Sequence, residues 1–524
     1  MTHFPPVVLG IAFAVLIVAL TALGRRLPIP TPILQVIAGL AVGLIPGIAI
    51  PELEPDVVFF VFLPPVLWAA AFFTSFREFR DNVRPISMLA VGLVLATTAA
   101  VAITAHALLP GIPWAAAVAL GAIVSPPDAV AATAIVSRLP VPRRVIVILE
   151  GESLVNDASA LVVYRTAVAA TLTGLLSPSE AVVRFFIDAG LGTVVGLGAG
   201  WLVIRTVRWT RDPLAETLLT IAGPYTAWVA AETIHASAVL ACVAGGLYVR
   251  QHLSTAVAPL SRIQARAVWD LLIFVLNALI FVILGAQFGE RVQSVPAGTL
   301  GAVVRTGAII AAVAIAVRMI WVPLGTWLPR ALSENMRRRD PMPPPKAVFL
   351  VSWTSMRGIV TLASALALPL TLDNGSAFPF RDEIILIAMT VIVMTLVVQG
   401  LTLAPIIRSF AFTPEKTHHE EERLARRESL RRGSEALDDL AREDGVDQRD
   451  VEWLRGELRE RMRAHEHHHG DSSGRRKLRM GMIAAERRML IRLRNEGAIS
   501  DDVLRELEQE LDLEAIRAGG GDAR

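Results

Sequence analysis

About thirteen apolar runs, each near the ~20 residues that span a bilayer, follow one another along residues 5–409. Within hydrocarbon every backbone donor and acceptor must be satisfied by the protein itself, which leaves only helices or closed barrels, and runs of this length read as helices. The expected spans are 5–24, 31–49, 56–75, 85–109, 113–137, 144–171, 180–204, 213–233, 236–250, 267–288, 298–328, 346–370 and 382–409. A mean hydropathy of +0.53 and a hydrophobic share of 53% agree with a chain that lies mostly in lipid. The fold class is therefore an all-α polytopic membrane protein. The first run lacks a basic leader and a small-residue cleavage site, so it is read as a retained helix.

Basic residues fall on alternate loops, among them Arg77, Arg80 and Arg84, then Arg138, Arg143 and Arg144, then Arg337 to Arg339 with Lys346. The loops between, such as Pro51 to Asp56 and Leu372 to Phe380, are poor in positive charge. By the positive-inside rule the N-terminus lies outside the cell membrane and the C-terminal tail is cytoplasmic. Composition changes abruptly after Phe410 to charged, helix-forming sequence, so the expected domains are 1–411, embedded in lipid, and 412–524, a helical cytoplasmic tail that regulates or dimerises. In its last helix Ser500 is the expected N-cap, and Val503, Leu504, Leu507 and Leu511 form an apolar stripe. His465, His467, His468 and His469 have metal-binding composition but are read as part of a solvated linker.

The stretch with most chemistry is Glu150 to Arg165, where Glu150, Glu152 and Asp157 stand inside an apolar run. An ionisable group in a membrane helix costs about 2.5 to 3.5 kcal/mol on insertion scales, so it is expected to face a cavity or a partner and to mark an ion pathway. Positions four apart share a helix face, which pairs Ser153 with Asp157 and Glu152 with Asn156. Oxygen ligands of this kind suit hard cations. The alternative is a buried ion pair that only fixes helix packing. The single cysteine, Cys242, excludes a disulfide framework and a thiol-based metal site. The apolar runs contain neither an HExxH metal motif nor a GxSxG elbow, which argues against an intramembrane hydrolase, and the absence of a P-loop leaves ATP drive unsupported. No enzyme activity, cofactor or nucleic-acid partner is expected.

Three ordered motifs, SPPDAVA at Ser125 to Ala131, GESLVNDA at Gly151 to Ala158 and MRGIVTLASALALP at Met356 to Pro369, resemble those of the monovalent cation/proton antiporters, the sodium/proton exchanger family in its Asn-Asp branch. The similarity covers roughly residues 5–411. It implies an antiporter with inverted repeats and broken, crossing helices that exchanges sodium for protons, works by alternating access and assembles as a homodimer. It further implies that Asp157 is the exchanging carboxylate, and that Ser153, Asn156, Asp128 and Pro127 join it around the transported sodium. Potassium or lithium as the main cation, and a cation-responsive sensor without net transport, are the alternatives.

Local chemistry adds detail to each motif. Pro126 and Pro127 lack backbone donors and should break the 113–137 run near Ser125, leaving Asp128 at the start of a second half-helix, whose positive end it would complement. Pro64 and Pro65 should kink the 56–75 run. The resemblance places a carboxylate after that double proline where this chain has Ala69, and commonly Thr where it has Pro127. It also implies that Arg357 pairs with Glu152, with direct pairing to Asp157 as the alternative. Arg318 is expected to snorkel toward the Arg330 end of its run, and Asn277 to bond between helices. With Asn156 neutral, Asp157 would be the one titrating group of its pair, which resembles the electroneutral branch.

Overall fold

The structure is a computed structural model that describes residues 6–24, 26–27, 29–45, 57–136, 139–173, 178–210, 212–257, 259–294, 297–372, 375–412, 416–442, 447–466, 472–496, 498 and 500–517. Two compact units emerge, Met1–Pro414 and Glu415–Arg524. No strand forms among the described residues, where one isolated bridge joins Thr371 and Ala377. The first unit contains α1 (Pro6–Gly24), α2 (Thr31–Gly43), α3 (Leu63–Phe73), α4 (Phe76–Asp81), α5 (Val83–Ser87), α6 (Val94–Leu108), α7 (Trp114–Val124), α8 (Ala129–Val136) and α9 (Arg143–Thr173). It continues with α10 (Pro178–Thr210), α11 (Pro213–Thr233), α12 (Ala238–Ala256), α13 (Pro259–Ser294), α14 (Ala297–Leu332), α15 (Glu334–Arg339), α16 (Pro345–Trp353), α17 (Ile359–Leu366) and α18 (Arg381–Phe410).

Five stretches among the described residues are apolar and long enough to cross a membrane by length and composition: Val83–Leu108, Val183–Thr210, Ser261–Gln293, Leu300–Leu332 and Arg381–Phe410. Two of the expected runs are interrupted, the first of them where its two prolines require it. The run 113–137 is α7 and α8 separated at Ser125 to Asp128, and the run 346–370 is α16 and α17 separated at Thr354 to Gly358. The double proline has its own solution. A π-helical turn, Val58–Phe62, precedes α3, and the Val61 carbonyl, which an N–H at position 65 would ordinarily serve, accepts the Tyr225 hydroxyl at 3.3 Å.

Glycine sets the closest helix packing. On α2 and α13, a Cβ at Gly39, Gly43, Gly285 or Gly289 would run into the backbone of the facing helix, so these two helices lie backbone against backbone. Three of the basic segments meet on one face of the unit. Arg143 pairs with Glu78 at 3.0 Å, Arg144 pairs with Asp340 at 2.8 Å, and the Lys346 ammonium donates to the Phe410 carbonyl at 2.9 Å. This gathers the 77–84, 143–144 and 337–346 loops with the end of α18.

The second unit is helical as its charge pattern indicates: α19 (Lys416–Leu440), α20 (Gln448–Glu466), α21 (Ser472–Asn495) and α22 (Asp501–Arg517). Arg455 of α20 reaches Asp438 of α19 at 2.6 Å. Ser500 caps α22, its hydroxyl accepting the Val503 N–H at 3.3 Å. Leu504 is buried, whereas Val503 is exposed and lies off the packed stripe. His465 belongs to α20, while His467, His468 and His469 lie outside the described residues.

Candidate functional site

Helix α9 presents Ser153 and Asp157 on one face, as their spacing requires. Both line a cavity of about 710 Å³ together with Ala69 of α3, Asn277 of α13, and Pro127 and Asp128 from the break between α7 and α8. Asp157 is 6% exposed and, among the described residues, has neither a hydrogen bond nor an ion pair. A carboxylate held in this way offers its oxygens to something that enters the cavity.

The two breaks touch each other beside that cavity. The Asp128 N–H donates to the Met356 carbonyl at 2.7 Å, so the interruption of one broken helix satisfies a backbone group of the other. The Asp128 carboxylate lies against Gly358, where any Cβ would overlap its Oδ2. Gly358 is also the N-cap of α17, and an acid at that position complements the positive helix end. Ser352, Thr354, Ser355 and Thr361, too polar for a lipid-facing surface, are all buried around the second break.

Asn156 serves a neighbouring purpose. It is fully buried and does not line the cavity. Its Nδ2 donates to the Pro127 carbonyl at 2.9 Å, tying α9 to the break, and its Oδ1 has no hydrogen-bond partner among the described residues. A carbonyl has two lone pairs, so Pro127 retains one acceptor site.

The structure corrects the expected ion pair. Glu152 does not pair with Arg357; it receives both terminal nitrogens of Arg318, with Nη2 to Oε2 at 2.7 Å and Nη1 against Oε1. Arg318, 1% exposed, also donates through Nε to the Val351 carbonyl at 3.0 Å, so it is locked inward rather than snorkelling. Arg357 answers a different need. Breaking the helix strands the last carbonyls of α7, and the Arg357 Nε donates to one of them, on Val124, at 2.9 Å. Its Nη1 bonds the carbonyl and hydroxyl of Ser355, and its backbone N–H donates to the Thr395 hydroxyl at 3.2 Å. The guanidinium thus meets the negative end of a half-helix instead of a carboxylate. The signal that could have found Arg318 is its place in the middle of an apolar run, where a cation demands an acid.

Ala69 does face the cavity, at the position where the resemblance implies a carboxylate. Asn277 lines it too, with a buried Oδ1 that has no hydrogen-bond partner among the described residues. Toward the C-terminal end of α9 a second cavity of about 1000 Å³ begins at Ala158, one residue beyond Asp157, and reaches the Arg165–Glu232 pair at 3.5 Å.

The sequence profile described as "Sodium/hydrogen exchanger, transmembrane" matches residues 12–409. The chain belongs to the sodium/hydrogen exchanger family. This exchanger is 34% identical over 520 residues to an uncharacterised Na(+)/H(+) exchanger of Mycobacterium tuberculosis, covering 97% of this chain and 95% of that one. It is 35% identical over 402 residues to the sodium, potassium, lithium and rubidium/H(+) antiporter of Bacillus pumilus, covering 74% and 59% of the two chains. Among solved structures, the sodium proton antiporter MjNhaP1 from Methanocaldococcus jannaschii shares the fold of this exchanger, with a TM-score of 0.58 and 19% identity over 76% of this chain and 96% of that one.

Proposed function

We propose that this exchanger carries sodium one way and protons the other by alternating access, with Asp157 as the carboxylate that holds either ion. The observation that carries the reading is the placement of Asp157: buried, without a partner among the described residues, and facing a cavity it shares with Asp128 and Ser153 beside two crossed helix breaks. A carboxylate without a hydrogen-bond or ion-pair partner binds a proton or a monovalent cation in turn, since each neutralises it and neither leaves room for the other. Ser153 and the free acceptor site on Pro127 add neutral oxygen ligands suited to a hard cation. Asn156 stays neutral, so each direction of the cycle moves the same charge and exchange is one for one.

Two cavities approach Asp157 from opposite ends of α9, which supports access from one side at a time. The tightly packed α2–α13 pair is the natural fixed body, and α7, α8, α9, α16 and α17 the moving one. The meeting of three basic segments on one face supports the orientation with that face and the tail toward the cytoplasm. Reconstitution in liposomes with an internal pH dye tests the reading: addition of sodium should drive proton movement, and no response to any alkali cation would refute it.

A second reading, exchange of potassium, lithium or rubidium as well as sodium, is favoured by one observation. Ala69 leaves the cavity without the carboxylate that the resemblance implies there, and fewer anionic ligands discriminate less among monovalent cations. The Bacillus pumilus relative is named for all four of these cations. Successive additions of sodium, potassium, lithium and rubidium in the same assay separate the two readings.

A further inference from the structure

We propose that α21 in the second unit is a docking surface for anionic lipid. The helix contains eight basic residues and one acid, whereas α22 contains seven acids and two basic residues. The two helices pair in accord with that charge: Arg479 reaches Glu514 at 3.2 Å, Arg487 bonds Asp512, and Ile483 and Leu504 are buried. This contact occupies only part of the α21 surface. Elsewhere on it Leu478, Met482 and Met489 are 78%, 57% and 51% exposed. With exposed Ala485 they stand at i, i+4, i+7 and i+11, which is a single stripe along the helix. Arg488 and Arg492, both exposed, border it.

An apolar stripe with a guanidinium rim fits the boundary of a bilayer, where methyl groups reach acyl chains and cations meet phosphate and carboxylate headgroups. The same spacing would serve a coiled-coil seam, but a second copy would bring together two helices with the same large positive excess. Charge therefore favours an anionic surface over self-association. Continuity of the chain supplies the proximity, because α18 of the membrane unit ends at Phe410 and the next helix begins at Lys416. Docking is read from binding alone, so it stands or fails separately from the exchange reaction.

The test uses the full-length protein in nanodiscs of phosphatidylcholine, with and without phosphatidylserine, and follows amide hydrogen exchange of residues 478–495. Phosphatidylserine should slow exchange there by roughly tenfold, and the double variant Arg488→Glu, Arg492→Glu should remove the effect. A second pair, Met482→Gln with Met489→Gln, keeps every charge and should reduce the protection severalfold, which covers the case in which charge reversal disturbs the α21–α22 contact. Equal exchange in the two lipids would overturn the proposal. So would protection in both lipids that appears only in discs holding two copies, which would assign the stripe to a second chain.

Discussion

Asp157 could be recognised from sequence because a carboxylate in an apolar run has so few tolerable explanations. Its replacement by Asn is nearly isosteric but cannot alternate between a proton and a cation. Asp157→Asn should therefore abolish sodium-driven proton flux while leaving the melting temperature close to wild type, as measured in liposomes and by thermal unfolding. The partner of Glu152 was not legible in the same way. Arg318 and Arg357 are both intramembrane arginines far from Glu152 in sequence, and only the crossing of the helices decides that Arg318 reaches the carboxylate while Arg357 meets the end of α7. Truncating one member of a buried pair strands the other charge, so Arg318→Ala or Glu152→Gln should cost about 3 to 5 kcal/mol of stability. Thermal unfolding of both variants checks this, and wild-type stability in either would contradict the pairing.

The first break was legible for a local reason, since two consecutive prolines remove two donors wherever they fall, whereas the second was expected only through the resemblance, which implies broken, crossing helices. What local chemistry could not supply was the contact between the breaks, since the bond from Asp128 to Met356 joins residues more than two hundred positions apart. Gly358→Ala places a methyl group on the Asp128 carboxylate. It should lower exchange by roughly tenfold or more, if displacement of the carboxylate costs at least ~1.4 kcal/mol, with helix content by circular dichroism unchanged; undiminished flux would mean that the crossing tolerates separation. The double-proline helix offers a complementary test. Ala69 lines the cavity, so Ala69→Glu should add an oxygen ligand and lower the sodium concentration for half-maximal flux. An unchanged value in a folded protein would place that turn away from the bound ion.

The division of the chain into a membrane unit and a charged helical unit follows the change in composition after Phe410, and the chain divides into its two compact units after Pro414. If the second unit regulates, removal of the residues from Thr413 onward should shift the pH profile of exchange without eliminating it, and complete loss of flux in a folded truncation would contradict that role. Competition for one carboxylate also makes acid on the sodium-binding side inhibitory, because protonated Asp157 cannot accept the cation. If a single group holds either ion, sodium must displace the proton from Asp157, and counting the protons released when sodium binds to the purified protein in weakly buffered solution measures that displacement. Close to one proton should be released for each sodium bound, and none in Asp157→Asn. Sodium binding without proton release, or release that persists in the variant, would contradict it.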